Sequence, residues 1–372
     1  MTTNATAEPL DPRLVKLWRG ESLVFAAPPN GREETPDELQ ARTIPARWIE
    51  DLVTGANGGV TVPMTIVHAI VDGSLTCRHA TFSSDVAITD SEFTGSVDFS
   101  FATFKRTALF HGCRFLKDSN FRATTFDADL VITEAVFTNS ARFEDLHVQR
   151  RLDARGAQFA TASFERSVID SEALFHADSR GRRTVFRDDA KFVDARFGAT
   201  ADFEGAEFAC DACFGSAEFK RDAYFSTASF AGTADFRNTH VMVDVVFAGT
   251  DFKSDVDFEG LHVDGDAFFR TRSQMRTTFG GDVCFRSACI KGTADFEGAE
   301  FQSDVTFESA QIGGDAFFRA DDGMRTHFRG KLDFGSARVG GNAEFDGAEF
   351  TGPVTFTLSV VEGMASFRPG EA

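Results

Sequence analysis

The sequence contains almost no tyrosine or tryptophan, although it is rich in aromatic residues. Of the 372 residues, 43 are phenylalanine, whereas one is tyrosine and two are tryptophan. Tyrosine and tryptophan carry a polar atom that needs a hydrogen-bond partner when it is buried, and phenylalanine does not. The bias therefore suits a dry interior in which phenylalanine rings stack.

The chain also lacks long apolar runs, and it lacks a second Cys-x-x-Cys pair that could complete a metal site. No apolar stretch approaches the ~18 residues needed for a transmembrane helix, and no signal peptide begins the sequence. Among six cysteines, Cys210 and Cys213 form a single Cys-x-x-Cys pair with no histidine at ligand spacing. We therefore expect neither a zinc centre nor a redox motif, and reduced thiols in the cytoplasm fit the composition best.

Catalytic motifs are missing as well. The eight histidines, at 68, 79, 111, 147, 176, 240, 262 and 327, show no ligand or triad spacing. No glycine-rich loop of the kind that cradles phosphate is present, and the regular spacing of the carboxylates indicates a surface rather than a pocket. We expect no catalytic residue, no metal and no cofactor, and therefore no enzyme.

Basic residues are scarce relative to acidic ones. The chain has 38 Lys and Arg against 57 Asp and Glu, a formal net charge of −19. Phosphate binding needs Lys and Arg, so direct binding of nucleic acid is not expected. A basic protein partner fits this charge, and so does the simpler alternative that the acidic surface only keeps the protein in solution.

What the sequence does contain is a regular recurrence of phenylalanine. Between residues 192 and 236 the spacing alternates between five and six residues, which gives a period of 11. A fixed period of this kind indicates a solenoid, in which each unit buries its apolar side by stacking on its neighbours. A small residue, usually alanine, stands two positions before most of these phenylalanines, and the two share one face of an extended segment. Both are therefore predicted to point inward.

The repeated units resemble the pentapeptide-repeat family, whose consensus is A-(D/N)-(L/F)-x-x. Ala-Asp-Phe-Glu-Gly occurs at 201–205 and again at 294–298, and Ala-Glu-Phe-Ala-Cys occurs at 206–210. The resemblance implies an all-β fold, a right-handed quadrilateral β-helix with four faces per coil. Because every second unit is one residue longer than the family's plain form, each coil should take 22 residues instead of 20.

The chain is predicted to divide into residues 1–59 and residues 60–372. The first part is expected to be flexible and polar, apart from a helix at 45–54 with an apolar stripe of Trp48, Ile49, Leu52 and Val53. This helix is predicted to cap the first coil; a partner-binding helix is the alternative. Residues 60–372 are predicted to form a rod on the order of 65 Å long, at ~4.8 Å per coil.

Acidic residues often stand just before the inner phenylalanine, where they should point outward. Stacked coils are expected to bring them into rows about 5 Å apart. By resemblance, such a rod suggests DNA mimicry, since some members of the family act in this way on DNA gyrase. Alternatively, these residues only keep the strands soluble and prevent edge pairing. The candidate partner-binding residues are Asp202, Glu207, Glu218, Asp235, Asp251, Asp257, Asp295 and Glu300.

Three spacings are longer than the period allows, and they hold many of the arginines. They run from Phe175 to Phe186, from Phe269 to Phe279 and from Phe318 to Phe328. Counted along a four-faced coil, all three leave from the same side. They are predicted to form a basic ridge that binds an acidic partner or phosphate, or else to balance the acidic rows. The candidate residues are Arg180, Arg182, Arg183, Arg272, Arg276 and Arg325.

The repeat continues close to the last residue without a recognisable cap. Phe350, Phe356, Val361 and Phe367 keep the inner register, so two chains are predicted to meet end to end as a homodimer. The leading functional hypothesis is a non-enzymatic interaction protein that mimics DNA toward a topoisomerase such as gyrase or another DNA-binding protein. The alternative is a structural scaffold or assembly module that associates through this end and the arginine loops.

Overall fold

The computed structural model describes residues 11–30, 32–54, 61–321 and 323–369. Each regular strand pairs in parallel with the fourth strand further along the chain, as Ala201 does with Ala223, 22 residues later. Four strands therefore make one coil, and the chain forms the four-faced solenoid that the sequence predicts. The predicted boundary between residues 59 and 60 lies outside the described residues.

We number the faces 1 to 4 in the order in which the chain passes through them. Face 1 is a 15-stranded sheet made of Leu23–Val24, Met64–Val67, Val86–Thr89, Ala108–Leu109, Leu130–Val131, Leu152–Asp153, Ala173–Leu174, Ala201–Asp202, Ala223–Tyr224, Val245–Val246, Ala267–Phe268, Ala294–Asp295, Ala316–Phe317, Ala343–Glu344 and Ala365–Ser366. Face 4 has 13 strands, Thr81–Phe82, Thr103–Phe104, Thr125–Phe126, His147–Val148, Val168–Ile169, Arg196–Phe197, Glu218–Phe219, His240–Val241, His262–Val263, Cys289–Ile290, Gln311–Ile312, Arg338–Val339 and Val360–Val361.

Faces 2 and 3 are joined into one 25-stranded sheet, because Val136–Arg142 and Gln158–Ser163 run through both. The other strands of face 2 are Thr43–Pro45, Ile70–Asp72, Glu92–Phe93, Arg114–Phe115, Val185–Phe186, Glu207–Phe208, Ser229–Phe230, Asp251–Phe252, Thr278–Phe279, Glu300–Phe301, His327–Phe328 and Glu349–Phe350. Those of face 3 are Leu75–Thr76, Val97–Asp98, Ser119–Asn120, Ala190–Lys191, Ala212–Cys213, Ala234–Asp235, Val256–Asp257, Val283–Cys284, Val305–Thr306, Leu332–Asp333 and Val354–Thr355.

The interior is a set of stacked phenylalanine columns. On face 1, the ring centroid of Phe225 lies 5.0 Å from that of Phe203 and 4.9 Å from that of Phe247, and the rings are within 10° of parallel. Burial of each ring contributes roughly 2 kcal/mol. Similar columns follow faces 2 and 3, whereas the inner residues of face 4 are Val or Ile from Val241 onward. Phenylalanine alone therefore fills most of the interior but not all of it.

Apart from the three long connections, a tight corner follows the strands of faces 1 and 3 and explains the shorter, five-residue spacing. The second residue after the inner phenylalanine lies in the left-handed region, as shown by Gly205 (φ 67°), Ser216 (φ 57°), Thr227 (φ 55°) and Asn238 (φ 54°). This conformation turns the chain in fewer residues than an extended corner requires. Most corners after faces 2 and 4 lack this residue and take one residue more; the corner at Gly73 (φ 92°) is an exception.

The three long connections leave the solenoid at the same corner, between face 1 and face 2. Each begins after a face 1 strand and ends at a face 2 strand: Ala173–Leu174 to Val185–Phe186, Ala267–Phe268 to Thr278–Phe279, and Ala316–Phe317 to His327–Phe328. The expectation that they share one side is confirmed. The coil itself continues in register beneath each loop, so the loops are additions to an intact scaffold.

The segment before the first coil holds more regular structure than the predicted flexible tail. The helices are α1 (Pro12–Trp18), α2 (Pro36–Arg42) and α3 (Arg47–Thr54). Leu23 pairs with Ile66, which extends face 1, and Ile44 pairs with Val71, which extends face 2. Helix α3 buries Trp48, Ile49 and Val53 against this end, as a cap should. Helix α3 lies where the cap was predicted, and the N-terminal segment predicted to be flexible holds α1, the strand Leu23–Val24 and the start of α2.

Candidate functional sites

The predicted acidic residues do not form continuous rows. Their register distributes them over all four faces: Asp202 and Asp295 on face 1, Glu207, Asp251 and Glu300 on face 2, Asp235 and Asp257 on face 3, and Glu218 on face 4. Within this set only Asp235 and Asp257 are direct neighbours in one sheet. The expected spacing of about 5 Å along a row is wrong for the others, because residues 11 positions apart lie on opposite faces and only those 22 apart stack.

Face 2 shows the actual arrangement most clearly. Its outward column runs through Glu207, Ser229, Asp251, Thr278 and Glu300, so that a neutral residue separates each pair of acidic ones. Alternation doubles the distance between carboxylates to about 10 Å, which is one Debye length at moderate salt. The column therefore avoids most of the repulsion that a continuous row of carboxylates would create.

Asp295 is the one member of the set that is buried. Its side chain sits on face 1 with 5% of its surface exposed, and burial raises its pKa to about 6. Its Oδ1 accepts a hydrogen bond from the backbone N–H of Glu297 at 3.0 Å, and Oδ2 lies 3.7 Å from Arg270. These contacts hold the turn that follows the strand, so Asp295 serves the coil and is poorly placed to contact a partner.

Many of the other aspartates have a structural role that was not predicted from the sequence. Aspartates at the corners after faces 2 and 4 accept a hydrogen bond from a backbone N–H one coil further on. For example, Asp266 Oδ1 accepts from Thr293 at 2.7 Å. The sequence signal is an aspartate three residues before an inner phenylalanine. The corner aspartates that accept in this way are Asp211, Asp222, Asp244, Asp255, Asp266, Asp282, Asp304 and Asp315.

Face 3 also carries a shallow groove with a mainly acidic lining. It has a volume of about 670 Å³. The basic side chains in its lining are partly neutralised locally, since Arg286 lies 3.2 Å from Glu308 and Lys331 lies 2.7 Å from Asp333. The net charge of the groove is negative. Its acidic lining residues are Asp255, Asp257, Asp282, Asp304, Glu308 and Asp333.

The arginines of the first loop bind to carboxylates of this chain. Arg182 contacts Glu134, two coils earlier, and lies 2.6 Å from Asp178 within the loop. Arg180 lies 3.7 Å from the same Glu134. The two carboxylates raise the pKa of Arg182 through hydrogen bonds. Arg183 is exposed to solvent. The loop therefore folds back over the preceding coils, and its arginines balance the charge of carboxylates there.

The second and third loops contact each other and the acidic residues around them. Arg272 lies 2.8 Å from Glu204, and Arg325 lies 2.8 Å from Glu349. Arg276 lies 4.0 Å from Glu300 and donates a hydrogen bond to the carbonyl oxygen of Arg325 at 3.0 Å. These pairs favour the alternative of local charge balance over a free basic ridge. Partner binding by the loop arginines stays a prediction.

A buried threonine anchors each loop, and the sequence analysis did not single it out. In the second loop the backbone N–H of Gly249 donates to Thr277 Oγ1 at 2.9 Å, and this hydroxyl lies 2.9 Å from the carbonyl oxygens of Phe247 and Arg270. Thr184 and Thr326 make the equivalent contacts in the other loops. In the sequence, each loop ends with an Arg-Thr pair. The threonine of this pair stands two residues before the phenylalanine with which the coil resumes, and this spacing could have identified it.

The C-terminal coil exposes apolar side chains. Phe367 stacks on Phe345 with centroids 4.7 Å apart, and Phe356 stacks on Phe334 at 5.3 Å, so both keep the inner register. Their outer sides are nevertheless open, with 52% of Phe367 and 37% of Phe356 exposed. Phe350 and Val361 are partly buried against the core. Other exposed apolar residues of this coil are Val354, Leu358, Val360 and Met364.

These features define the class of the protein: a parallel β-solenoid with four faces, a filled interior and a charged surface. Residues 214–262 match the family model for pentapeptide repeats (9 copies). Residues 214–262 thus carry pentapeptide repeats, and the resemblance recognised from the sequence is confirmed for this segment. No curated protein and no solved structure shows a significant match to the chain. Within the part of the chain that the structure describes, no helix combines the length and apolar character needed to cross a membrane.

Proposed function

We propose that this protein is a non-enzymatic interaction and assembly module that joins a second copy of itself end to end. The observation that carries the proposal is the concentration of exposed apolar side chains on the C-terminal coil, where Phe367, Met364 and Leu358 are 52%, 58% and 82% exposed. Pentapeptide-repeat solenoids are an interaction fold rather than a typically enzymatic one. A surface of this kind on a soluble repeat favours association.

A second copy is the occupant that fits this end best. The last strand of each face has an edge without a following strand in the described residues. These strands are Glu349–Phe350, Val354–Thr355, Val360–Val361 and Ala365–Ser366. The same end of a second chain presents four strand edges in the same square arrangement, so the open edges of the two chains can pair. A two-fold axis through the contact would cover both ends at once and would close the assembly at two chains.

Light scattering after size-exclusion chromatography tests this association. At micromolar concentration the unmodified chain should have twice the chain mass, and a double variant, Phe356→Ser with Phe367→Ser, should have the chain mass. The last coil contacts only its neighbour, so the rest of the solenoid should keep its circular dichroism spectrum. The matched control is Phe101→Ser, which replaces a phenylalanine of similar exposure, 44%, far from this end. A monomeric unmodified chain, or a dimeric double variant, would overturn the proposal.

The acidic groove on face 3 favours a second function, namely binding of a protein that normally holds DNA. The net charge of −19 and the cluster of Asp255, Asp257, Asp282 and Asp304 support it, with a topoisomerase such as DNA gyrase as the sharpest form. The chain should then inhibit supercoiling by gyrase, and Asp257→Asn with Asp333→Asn, both in the groove, should weaken the inhibition. Those amides can still accept the turn hydrogen bonds. Absence of inhibition by the unmodified chain would remove this function.

A cytoplasmic location belongs to the same proposal. All six cysteines are free, although Cys210 and Cys213 are close in sequence and both are partly accessible. Free thiols of this kind persist in a reducing compartment and tend to oxidise outside it.

A further inference from the structure

Two histidines that are far apart in sequence become neighbours on face 4. His240 and His262 stand opposite each other in adjacent strands, with ring centroids 4.7 Å apart. Asp264 follows two residues later and places its carboxylate against both rings. His240 Nε2 lies 3.3 Å from Asp264 Oδ2, and His262 Nε2 lies 3.0 Å from Oδ1. The three side chains are partly exposed and belong to rigid, consecutive coils.

The spacing of these donor atoms fits a tetrahedral metal ion. One atom from each of the three side chains lies within 4.8 Å of the others. Zinc binds imidazole nitrogen and carboxylate oxygen at about 2.0–2.2 Å, and two such bonds at a tetrahedral angle separate the donors by about 3.3 Å. The two nitrogen-to-oxygen distances, 3.3 and 3.0 Å, are close to this value, but they end on different oxygens of Asp264. The carboxylate and the rings would therefore rotate to bring one oxygen and both nitrogens around the ion.

We propose that His240, His262 and Asp264 form a zinc-binding site on face 4. Two imidazoles with one carboxylate are a ligand set that zinc uses in proteins, and a water molecule can complete the tetrahedron. No metal was predicted from the sequence, because His240 and His262 are 22 residues apart, outside any familiar ligand spacing. One coil of this solenoid is 22 residues long, so the spacing is that of direct neighbours.

The charged groups around the cluster decide how tightly zinc binds. Lys291 Nζ lies 2.6 Å from Asp264 Oδ1, so its ammonium competes with a cation for this carboxylate. The lysine side chain is 57% exposed and can turn toward solvent when zinc takes its place. Glu218 precedes His240 in the same column and adds negative charge, and Cys289 follows His262. Zinc would connect two consecutive coils, and it should therefore stabilise the folded chain.

Isothermal titration calorimetry with zinc chloride tests the site, on the full chain without a polyhistidine tag. One zinc ion per chain should bind, and His240→Gln or His262→Gln should each lower the affinity at least roughly tenfold, since even residues that only support a metal ligand have effects of this size. His147→Gln is the matched control. His147 lies on the same face and pairs with Asp170 at 2.8 Å, without a second histidine, so its loss should leave zinc affinity unchanged.

Two further variants make the test independent of folding defects. Lys291→Met removes the competing ammonium, so it should raise zinc affinity; a lower affinity would contradict the site. Zinc should also raise the thermal unfolding midpoint of the unmodified chain and leave that of the double variant His240→Gln with His262→Gln unchanged. Absence of zinc binding by the unmodified chain, or equal binding by the double variant, would overturn the proposal.

Discussion

Replacing Ala223 by aspartate is expected to lower the free energy of unfolding by about 3–5 kcal/mol. Ala223 is fully buried on face 1, where it points into the column together with Phe225. A carboxylate there would lie among phenylalanine rings without a cation or a hydrogen-bond donor. Protonation would relieve the charge, but it would leave a buried polar group and an overfilled interior. The thermal unfolding midpoint, followed by circular dichroism, should therefore fall markedly.

The neighbouring residue provides the matched control. Tyr224 points outward on the same strand and is opposite Asp202 in the preceding coil, so aspartate already occupies the equivalent position. Tyr224→Asp should lower the midpoint much less than Ala223→Asp, because the repulsion that it adds beside Asp202 is exposed to solvent and costs on the order of 1 kcal/mol. Because a solenoid couples each coil mainly to its neighbours, amide hydrogen exchange should show the Ala223→Asp damage concentrated around residues 201–247. If the two substitutions lowered the unfolding midpoint equally, the assignment of Ala223 to the interior and Tyr224 to the surface would be wrong.

The register of the solenoid could be predicted from the sequence because one physical requirement sets it. Phe192, Phe197 and Phe203 recur at intervals of five and six, which predicts one inner residue on each face, and the resemblance to pentapeptide repeats supplied the four faces of each coil. The three loops follow from the same count, because each replaces a corner and the coil resumes afterwards in register. The fold class, the inner residues and the shared side of the loops were therefore readable in advance.

The surface was less predictable because it depends on pairs between coils rather than on a period. The contact of Arg272 with Glu204 joins residues 68 positions apart, and a side chain must cross several coils to make it. The sequence indicated basic loops and acidic rows as separate features. In the structure the loop arginines pair with nearby carboxylates, and the outward acidic residues of face 2 alternate with neutral ones. Such pairing becomes visible only once the coils are stacked.

The structural role of many aspartates could not be predicted from the sequence either. Aspartates such as Asp211 and Asp266 resemble solvent-exposed charges in the sequence, yet their carboxylates accept backbone hydrogen bonds from the next coil. A glycine often faces them, and a β-carbon at Gly292 would lie 2.1 Å from Asp266 Oδ1. Part of the net charge of −19 is therefore needed to build the corners. The groove on face 3 is lined by three corner aspartates of this kind, Asp255, Asp282 and Asp304, together with Asp257, Glu308 and Asp333.

The cysteines test the assignment of inner and outer residues across the whole solenoid. Cys77 and Cys113 are buried, and burial raises the pKa of each thiol to about 12. Since the thiolate is the reactive form, both should resist modification near neutral pH. Cys210, Cys213, Cys284 and Cys289 are partly exposed. The expected difference in labelling rate between the two groups is at least a hundredfold, because both access and thiolate content are reduced for the buried pair.

Mapping of thiol labelling by mass spectrometry on the native chain is the most direct test of the stacked interior. At pH 7 to 8, a small maleimide should modify the four partly exposed cysteines within minutes, and it should reach Cys77 and Cys113 only after denaturant is added. Labelling of Cys77 and Cys113 in the native chain as fast as the other four would contradict the assignment of inner and outer faces.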